Sequence, residues 1–399
     1  MRSLGENFAR IALVALILSF FGTMAFVTLR ATLSYKLRSA GVTMIQIGAL
    51  TSSFMLARAL SAPVFGWIGD RVRNRAALVR LGFACFVSLT VAVLYITEWE
   101  GVVAIMFAFG LASGLTWPTL QTIVAKETPD RYKAQVLSFY FMAGSFGAIS
   151  SGFVLSYLLL YGYFEAFLLA IMLEVAALLT SVALPKSEMV AEEGRGEKLD
   201  LSLIKSATFL LLLIFLMGFL RGTLMEFYYV YIKEVHEISE AEAMFLVALS
   251  GALGLGFSYL LSFVADRKGD EVALKAIFAM AMVGSAMALV KGVIPLVVLS
   301  TVLLQTSTRG FMPISRSMAV KIVSDKPGTM IGLVNTMGNT GTVLSPLVAG
   351  YLYEQLSGEI IVFGVPITLS GSIFALCAAC MAAFLLLLSA GFLESRTRI

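Results

Sequence analysis

The sequence predicts an all-α membrane protein of twelve transmembrane helices in two six-helix bundles, on three observations. Hydrophobic residues make up 59% of the 399-residue chain and charged residues 14%, with a mean hydropathy of +0.91. Soluble domains carry roughly 45–50% apolar and about 25% charged residues, so the composition belongs in a bilayer. Twelve stretches reach the length of about 20 residues that crosses roughly 30 Å of hydrocarbon as a helix. Finally, two charged turns, Gly66-Trp67-Ile68-Gly69-Asp70-Arg71 and Ser262-Phe263-Val264-Ala265-Asp266-Arg267, interrupt apolar sequence 196 residues apart, as if one unit were written twice.

Span 1 covers 9–33. Arg2 and Arg10 precede it as in a signal peptide, but the run is too long and many more follow, so it is an uncleaved first helix. Span 2 (43–68) carries Arg58 near its centre and ends in the first charged turn; span 3 is 76–97. Span 4 (101–125) contains Trp117, Pro118 and Gln121, span 5 (134–160) has small residues from Gly144 to Gly152, and span 6 (163–184) holds Glu174 at mid-depth. Pro185 to Lys198 is the only extended polar segment, and its glycines and charges read as a solvated, flexible linker. The expected domains are a first bundle over 1–185, a cytoplasmic linker over 186–203 and a second bundle over 204–399. Span 7 (205–232) carries Arg221 and Glu226, five apart and about 140° around a continuous helix, so each faces something else. Span 8 (241–265) leads into the second charged turn, and span 9 is 272–290. Span 10 (293–322) holds Arg309, Pro313 and Arg316, span 11 (329–355) holds Asn335, Asn339 and a bend at Ser345-Pro346, and span 12 (366–392) holds Cys377 and Cys380.

With the start placed in the cytoplasm, 20 Lys/Arg lie on the cytoplasmic side and four, Lys36, Arg38, Lys233 and Lys291, lie outside. This asymmetry follows the positive-inside rule and puts both termini of a multi-pass cell-membrane protein in the cytoplasm. The net charge of +4 is then topological, and no nucleic-acid partner is implied. All three cysteines fall inside apolar spans, and without histidines or a second pair nearby the Cys377/Cys380 spacing reads as helix packing, so no metal or cofactor is expected. Pro118 and Pro313, Lys126 and Lys321, and Asp130 and Asp325 recur at an offset of 195 residues. Two parallel repeats of six helices are related by an axis along the membrane normal, which places a solute site between them at mid-depth.

At these turns the chain resembles the major facilitator superfamily, whose loop between helices 2 and 3 has Gly, three residues, Asp-Arg, then Gly and a further Arg. Gly66, Asp70, Arg71 and Arg75 match, with Arg73 at the usual glycine; the second copy matches at Asp266, Arg267 and Gly269, with Ser262 at the leading glycine. The resemblance implies the twelve-helix facilitator fold and alternating access. It also implies that Asp70 meets the start of span 11 near Thr329 and Asp266 the start of span 5 near Ala134, where a carboxylate at a helix N-terminus gains about 0.3–1 kcal/mol. Such contacts hold the cytoplasmic side closed, and Gly66 lets helices pack closely at the turn.

An ionisable residue within a span costs about 2.5–3.5 kcal/mol, so each needs a reason. Arg58 is 12 residues before Asp70 and Arg309 is 12 before Lys321. Both therefore lie about 18 Å from the cytoplasmic charges, near the midplane. Arg316, two turns after Arg309 on nearly the same face, belongs to a gate or ion pair, and Arg30 either lines the site or reaches the outer interface. Span 7 from Gly218 to Val235, and Phe20-Phe21-Gly22 to Arg30 in span 1, resemble the phosphate-ester exchangers within the superfamily, whose two arginines clamp a phosphate. That resemblance implies an anion preference, with a phosphate ester as one form of it. Asn335 and Asn339, one turn apart, either hydrogen-bond a solute or join helices; Trp117 and Gln121 share a face and supply an opposing wall. His236, in the outer turn after span 7, is the only histidine, so Glu226 is the natural proton carrier if protons drive transport, with Glu174 a weaker candidate.

The leading expectation is a secondary transporter, acting as a monomer in lipid, for a small organic or inorganic anion, with a proton or counter-anion as possible coupling ion. Five intramembrane arginines against the acids Glu226, Glu174 and Glu165 favour it. The rival is proton-driven export of drugs or lipophilic solutes, suited by the many Met and Phe residues. A membrane-embedded enzyme comes last, since it would need paired Asp-rich metal motifs. An ATP-driven pump is excluded within this chain by the lack of a phosphate-binding Gly-Lys-Ser/Thr loop.

Overall fold

The computed structural model describes residues 2–72, 74–96, 98–184, 201–322 and 327–389. Thirteen α-helices and one short β-hairpin are described, so the fold is all-α in its architecture. The helices are α1 Arg2–Ser39, α2 Met44–Arg71, α3 Arg75–Tyr95, α4 Trp99–Glu127, α5 Asp130–Leu158, α6 Tyr163–Ser181, α7 Leu201–Thr223, α8 Glu226–His236, α9 Glu240–Lys268, α10 Asp270–Ala288, α11 Ile294–Ile322, α12 Pro327–Gln355 and α13 Ser372–Ser389.

The solvation pattern is that of a membrane protein. Leu60, Leu179, Leu386 and Phe164 are each 60% or more exposed on apolar helices, while Glu174, Glu226 and Arg30 are buried. Eight helices among the described residues are long and apolar enough to cross a membrane, and the α7/α8 pair makes a ninth, bent by 55° at its break. The remaining long helices, α2, α11 and α12, are 28 or 29 residues each and carry Arg58, Arg309, Arg316 and the Gly/Thr/Asn-rich stretch after Gly332. Polar side chains inside a bundle lower the mean hydropathy of the helix that bears them.

The chain divides into two compact units, Met1–Ala40 with Ser53–Arg195, and Gly41–Ser52 with Gly196–Ile399. In the first, α1 packs along α5 and α6, and α3 along α4 and α6. In the second, α7 packs along α12, α10 along α11 and α13, and α11 along α9. Counting α7 and α8 as one span, the pairings of spans 1 with 5, 3 with 4 and 3 with 6 recur as 7 with 11, 9 with 10 and 9 with 12, which is what a duplicated unit produces. Pro118 and Pro313 also occupy the interiors of corresponding helices, α4 and α11.

Two features depart from the sequence expectation. The single helix expected over 205–232 is broken after Thr223, so the helical-wheel separation of Arg221 and Glu226 does not apply across it. Gly222 and Thr223 are poor helix formers, and a Cβ at Gly222 would strike Ser345 Oγ and the Thr342 backbone of α12, so the chain there follows the neighbouring helix. A new N-terminus then forms, with Glu226 in the first turn of α8, where a carboxylate offsets the helix dipole. The second departure is the hairpin Glu359–Val362 with Val365–Thr368, in a stretch expected to be a plain turn and the start of span 12. Its two-residue loop, Phe363 (φ 52°) and Gly364 (φ 81°), has the paired positive φ angles that a right-twisted ribbon requires. The expected linker lies outside the described residues except at its end, where α7 begins at Leu201.

Candidate functional site

In the second unit, α7, α11 and α12 line an open cleft of about 410 Å³, counting the solvent space at its mouth. It forms because α7 and α12 approach to backbone contact: a Cβ at Gly218 would strike the Gly338 carbonyl, and one at Gly341 the Phe215 carbonyl. Thr342 Oγ1 fastens the same seam, donating to the carbonyls of Gly218 (3.1 Å) and Gly338 (2.9 Å). The wall beside the seam is apolar, with Ile214, Met217, Phe311, Met312 and Val334, and polar at Arg221, Thr308, Asn335 and Asn339. Arg221, Asn335 and Asn339 are exposed into this opening, so three of the residues singled out from the sequence meet on one surface.

Arg309 and Arg316 lie on α11 three residues before and four after the wall residue Met312, outside the cleft lining itself. Arg309 donates through Nη1 to the Gly251 carbonyl of α9 at 3.3 Å and interacts electrostatically with Tyr229 of α8. Arg316 donates through Nη2 to Asn335 Oδ1 at 3.3 Å, which ties it to the cleft wall, and its Nε is buried without a partner. Glu226 is 1% exposed and accepts a hydrogen bond from Thr51 Oγ1, which belongs to the Gly41–Ser52 segment of the same unit.

In the first unit, α1, α2, α4 and α5 bring Arg30, Arg58 and Gln121 into one neighbourhood. Arg30 is 9% exposed, and its guanidinium lies over the rings of Phe26 (4.9 Å) and Phe54 (5.6 Å), which offer the π-faces that stabilise a cation in apolar surroundings. It is therefore held among the helices of the first unit. Arg58, half-buried, interacts electrostatically with Arg30 and with Tyr140. Tyr140 in turn meets Gln121. Trp117 is set against Phe83 (5.9 Å, edge-on) and Phe86 (6.5 Å, stacked), one turn from Gln121.

Tyr140, Thr51 and the wall residues Thr308, Phe311 and Met312 carried no sequence signal as site residues; each is an ordinary residue in its own helix and becomes relevant only through packing. Glu174 is buried at 2% with Oε2 unpaired, and the Thr90 hydroxyl of α3 lies beside it without closing a hydrogen bond. Of the repeated charged turns, the side chains of Gly66, Asp70 and Arg71 and the expected contact positions Thr329 and Ala134 lie outside the described residues. Arg75 is buried at the first position of α3, behind an Asn74 cap whose Oδ1 accepts from the Ala77 amide. In the second turn, Asp266 and Arg267 are exposed at the end of α9, with Arg267 4.1 Å over the Phe263 ring, and Gly269 (φ 93°) makes the corner into α10.

The family profile described as Major Facilitator Superfamily matches residues 12–304. Solute carrier family 22 member 18 of Rattus norvegicus is 26% identical over 346 residues, covering 82% of this chain and 84% of the relative. The 4-hydroxybenzoate transporter PcaK of Pseudomonas aeruginosa is 28% identical over 149 residues, 37% of this chain and 33% of that protein. Among solved structures, a mutant of the nucleoside transporter NupG superposes with a TM-score of 0.82 at 16% identity, covering 96% of this chain and 100% of that one.

Proposed function

The chain belongs to the major facilitator superfamily, and from that premise we propose that it is a secondary active transporter moving a small organic or inorganic anion by alternating access. The observation that carries the reading is the cleft, which presents Arg221, Asn335 and Asn339, has Arg316 hydrogen-bonded to Asn335, and includes no acidic side chain among its lining residues. Guanidinium groups in a low-dielectric wall attract anions and repel cations, and carboxamides complete the hydrogen bonds of a carboxylate or phosphate. The partial relative named for 4-hydroxybenzoate, itself a carboxylate, supports the same class of cargo. In this reading the nine spans by hydropathy and the three polar long helices make twelve, divided as 1–185, 186–203 and 204–399. The protein is a monomer in the cell membrane with both termini cytoplasmic, and Arg30, Arg58, Trp117 and Gln121 form the first bundle's contribution to the solute path.

Uptake into proteoliposomes, or thermal stabilisation of the purified protein, across anionic, cationic and neutral solutes tests the proposal. Arg221→Gln and Arg309→Gln should each weaken anion binding at least about tenfold, or 1.4 kcal/mol. Stabilisation by cations or neutral drugs alone would overturn it. The second reading, proton-driven export of a lipophilic solute, is favoured by the apolar wall of Met217, Phe311 and Met312 and by the buried carboxyl of Glu226. Under that reading wild-type flux depends on a pH gradient and Glu226→Gln abolishes the dependence, whereas anion exchange leaves flux independent of the gradient in the wild type as well.

A further inference from the structure

We propose that Arg316 is a positioning residue that fixes Asn335 as a hydrogen-bond donor to the solute, so that this part of the cleft takes acceptor groups and turns away donors. The inference rests on the anion reading above and deepens it by naming what selects. A guanidinium donates and cannot accept, so the Asn335 atom 3.3 Å from Arg316 Nη2 is the side-chain oxygen, Oδ1, and a flipped carboxamide does not satisfy the contact. The two side chains come from different helices, α11 and α12. Among the described residues Asn335 is the one hydrogen-bond partner of the Arg316 side chain, whose Nε is buried without any. The positive charge on the donor strengthens such a bond.

With Oδ1 directed at Arg316, Asn335 has its two Nδ2 hydrogens left to offer. Nδ2 has no partner among the described residues, and Asn335 is exposed and lines the cleft, whereas Arg316 lies outside that lining. Turning the carboxamide over would set Nδ2 against the guanidinium, donor to donor, and lose the bond. Asn339, one turn further along α12 in the same lining, has no such anchor among the described residues and can present either end. Asn335 and Arg221 therefore both face the cleft as donors. A carboxylate or phosphate oxygen is met by them, while an ammonium group meets donors that repel it, which is the element that discriminates.

The test measures stabilisation of the purified full-length protein against heat by benzoate, succinate and phosphate, with benzylamine as the donor-bearing counterpart. At least one of the three anions should stabilise the wild type, and benzylamine should not. Arg316→Met should raise the half-saturating concentration of that anion at least fivefold, but no more than twofold in an Asn335→Ala background, because the arginine acts through the asparagine. Arg316→Lys, which still offers only donors, should stay within threefold of the wild type. Asn335→Asp keeps a partner for Arg316 and offers only acceptors, so it should melt like the wild type without solute and lose the anion response. If Arg316→Met does not fold, Asn335→Asp decides alone. An anion response retained in Asn335→Asp, no effect of Arg316→Met, or a fivefold effect that persists in the Asn335→Ala background overturns the inference and leaves the anion reading in place. Stabilisation by none of the three anions overturns both.

Discussion

Ionic contacts in the turn before α11 show how single residues set local order. Lys291 pairs with Glu237 (2.9 Å) and Glu359 (3.5 Å), while its backbone amide donates to the Pro366 carbonyl, so the base of the hairpin is fastened to the turn before α11. Lys291 holds the Glu237 carboxyl below its ordinary value, by hydrogen bond and by charge, and Glu237 first and Glu359 second raise the lysine. A lowered carboxyl contributes stability that is present above its unfolded pKa of about 4.3 and lost as pH falls through the folded value; a raised lysine contributes below about 10.4 and loses it as pH rises through the folded value. Proteolysis of the 359–368 hairpin should therefore be flat from about pH 5 to 10 and increase on the acid side, as Glu237 is protonated, and again on the alkaline side, as Lys291 loses its proton. Lys291→Met should make it faster at neutral pH. Burial and the Lys291 charge lower His236 to about 4, and its Nδ1 accepts from the Gly292 amide in the same turn, so a rise in cleavage that already begins as pH falls below about 6.5 would instead assign the control to His236.

At the scale of helices, the seam between α7 and α12 is what creates the cleft. Gly218 and Gly341 sit where a side chain would meet backbone carbonyls, and backbone atoms do not yield as a flexible side chain does. Gly218→Leu should destabilise the second unit by at least about 1–3 kcal/mol, as overpacking does, and abolish solute-dependent stabilisation. Gly256→Ala on α9, where a Cβ meets nothing within 4 Å, is the matched control and should leave thermal stability unchanged or slightly raised. Equal melting temperatures for both variants would mean that the seam is not closely packed. The α7/α8 break belongs to the same seam, since Gly222 lies against Thr342 and Ser345 one turn further on.

For the molecule as a whole, the repeated charged turns bear on alternating access. In the proposed transporter Asp70 anchors the start of the eleventh span when the cytoplasmic side is closed, so Asp70→Asn should insert normally and lower flux about two- to fivefold for a contact of 0.3–1 kcal/mol. Wild-type flux in proteoliposomes would remove that role. The membrane location, the all-α architecture and the superfamily were legible from the chain alone. Hydropathy acts residue by residue against lipid, and the repeated Asp-Arg turns state their own kinship. Arg221, Asn335 and Asn339 were legible as polar residues in apolar spans that needed a reason. Their meeting in one cleft was not, nor was the attachment of Arg316 to Asn335. The cleft and the broken seventh span depend on backbone contacts between α7 and α12, more than a hundred positions apart, and the Arg316 bond on a side-chain contact between two helices. Neither periodicity nor composition encodes such contacts, and only the packed fold decides them.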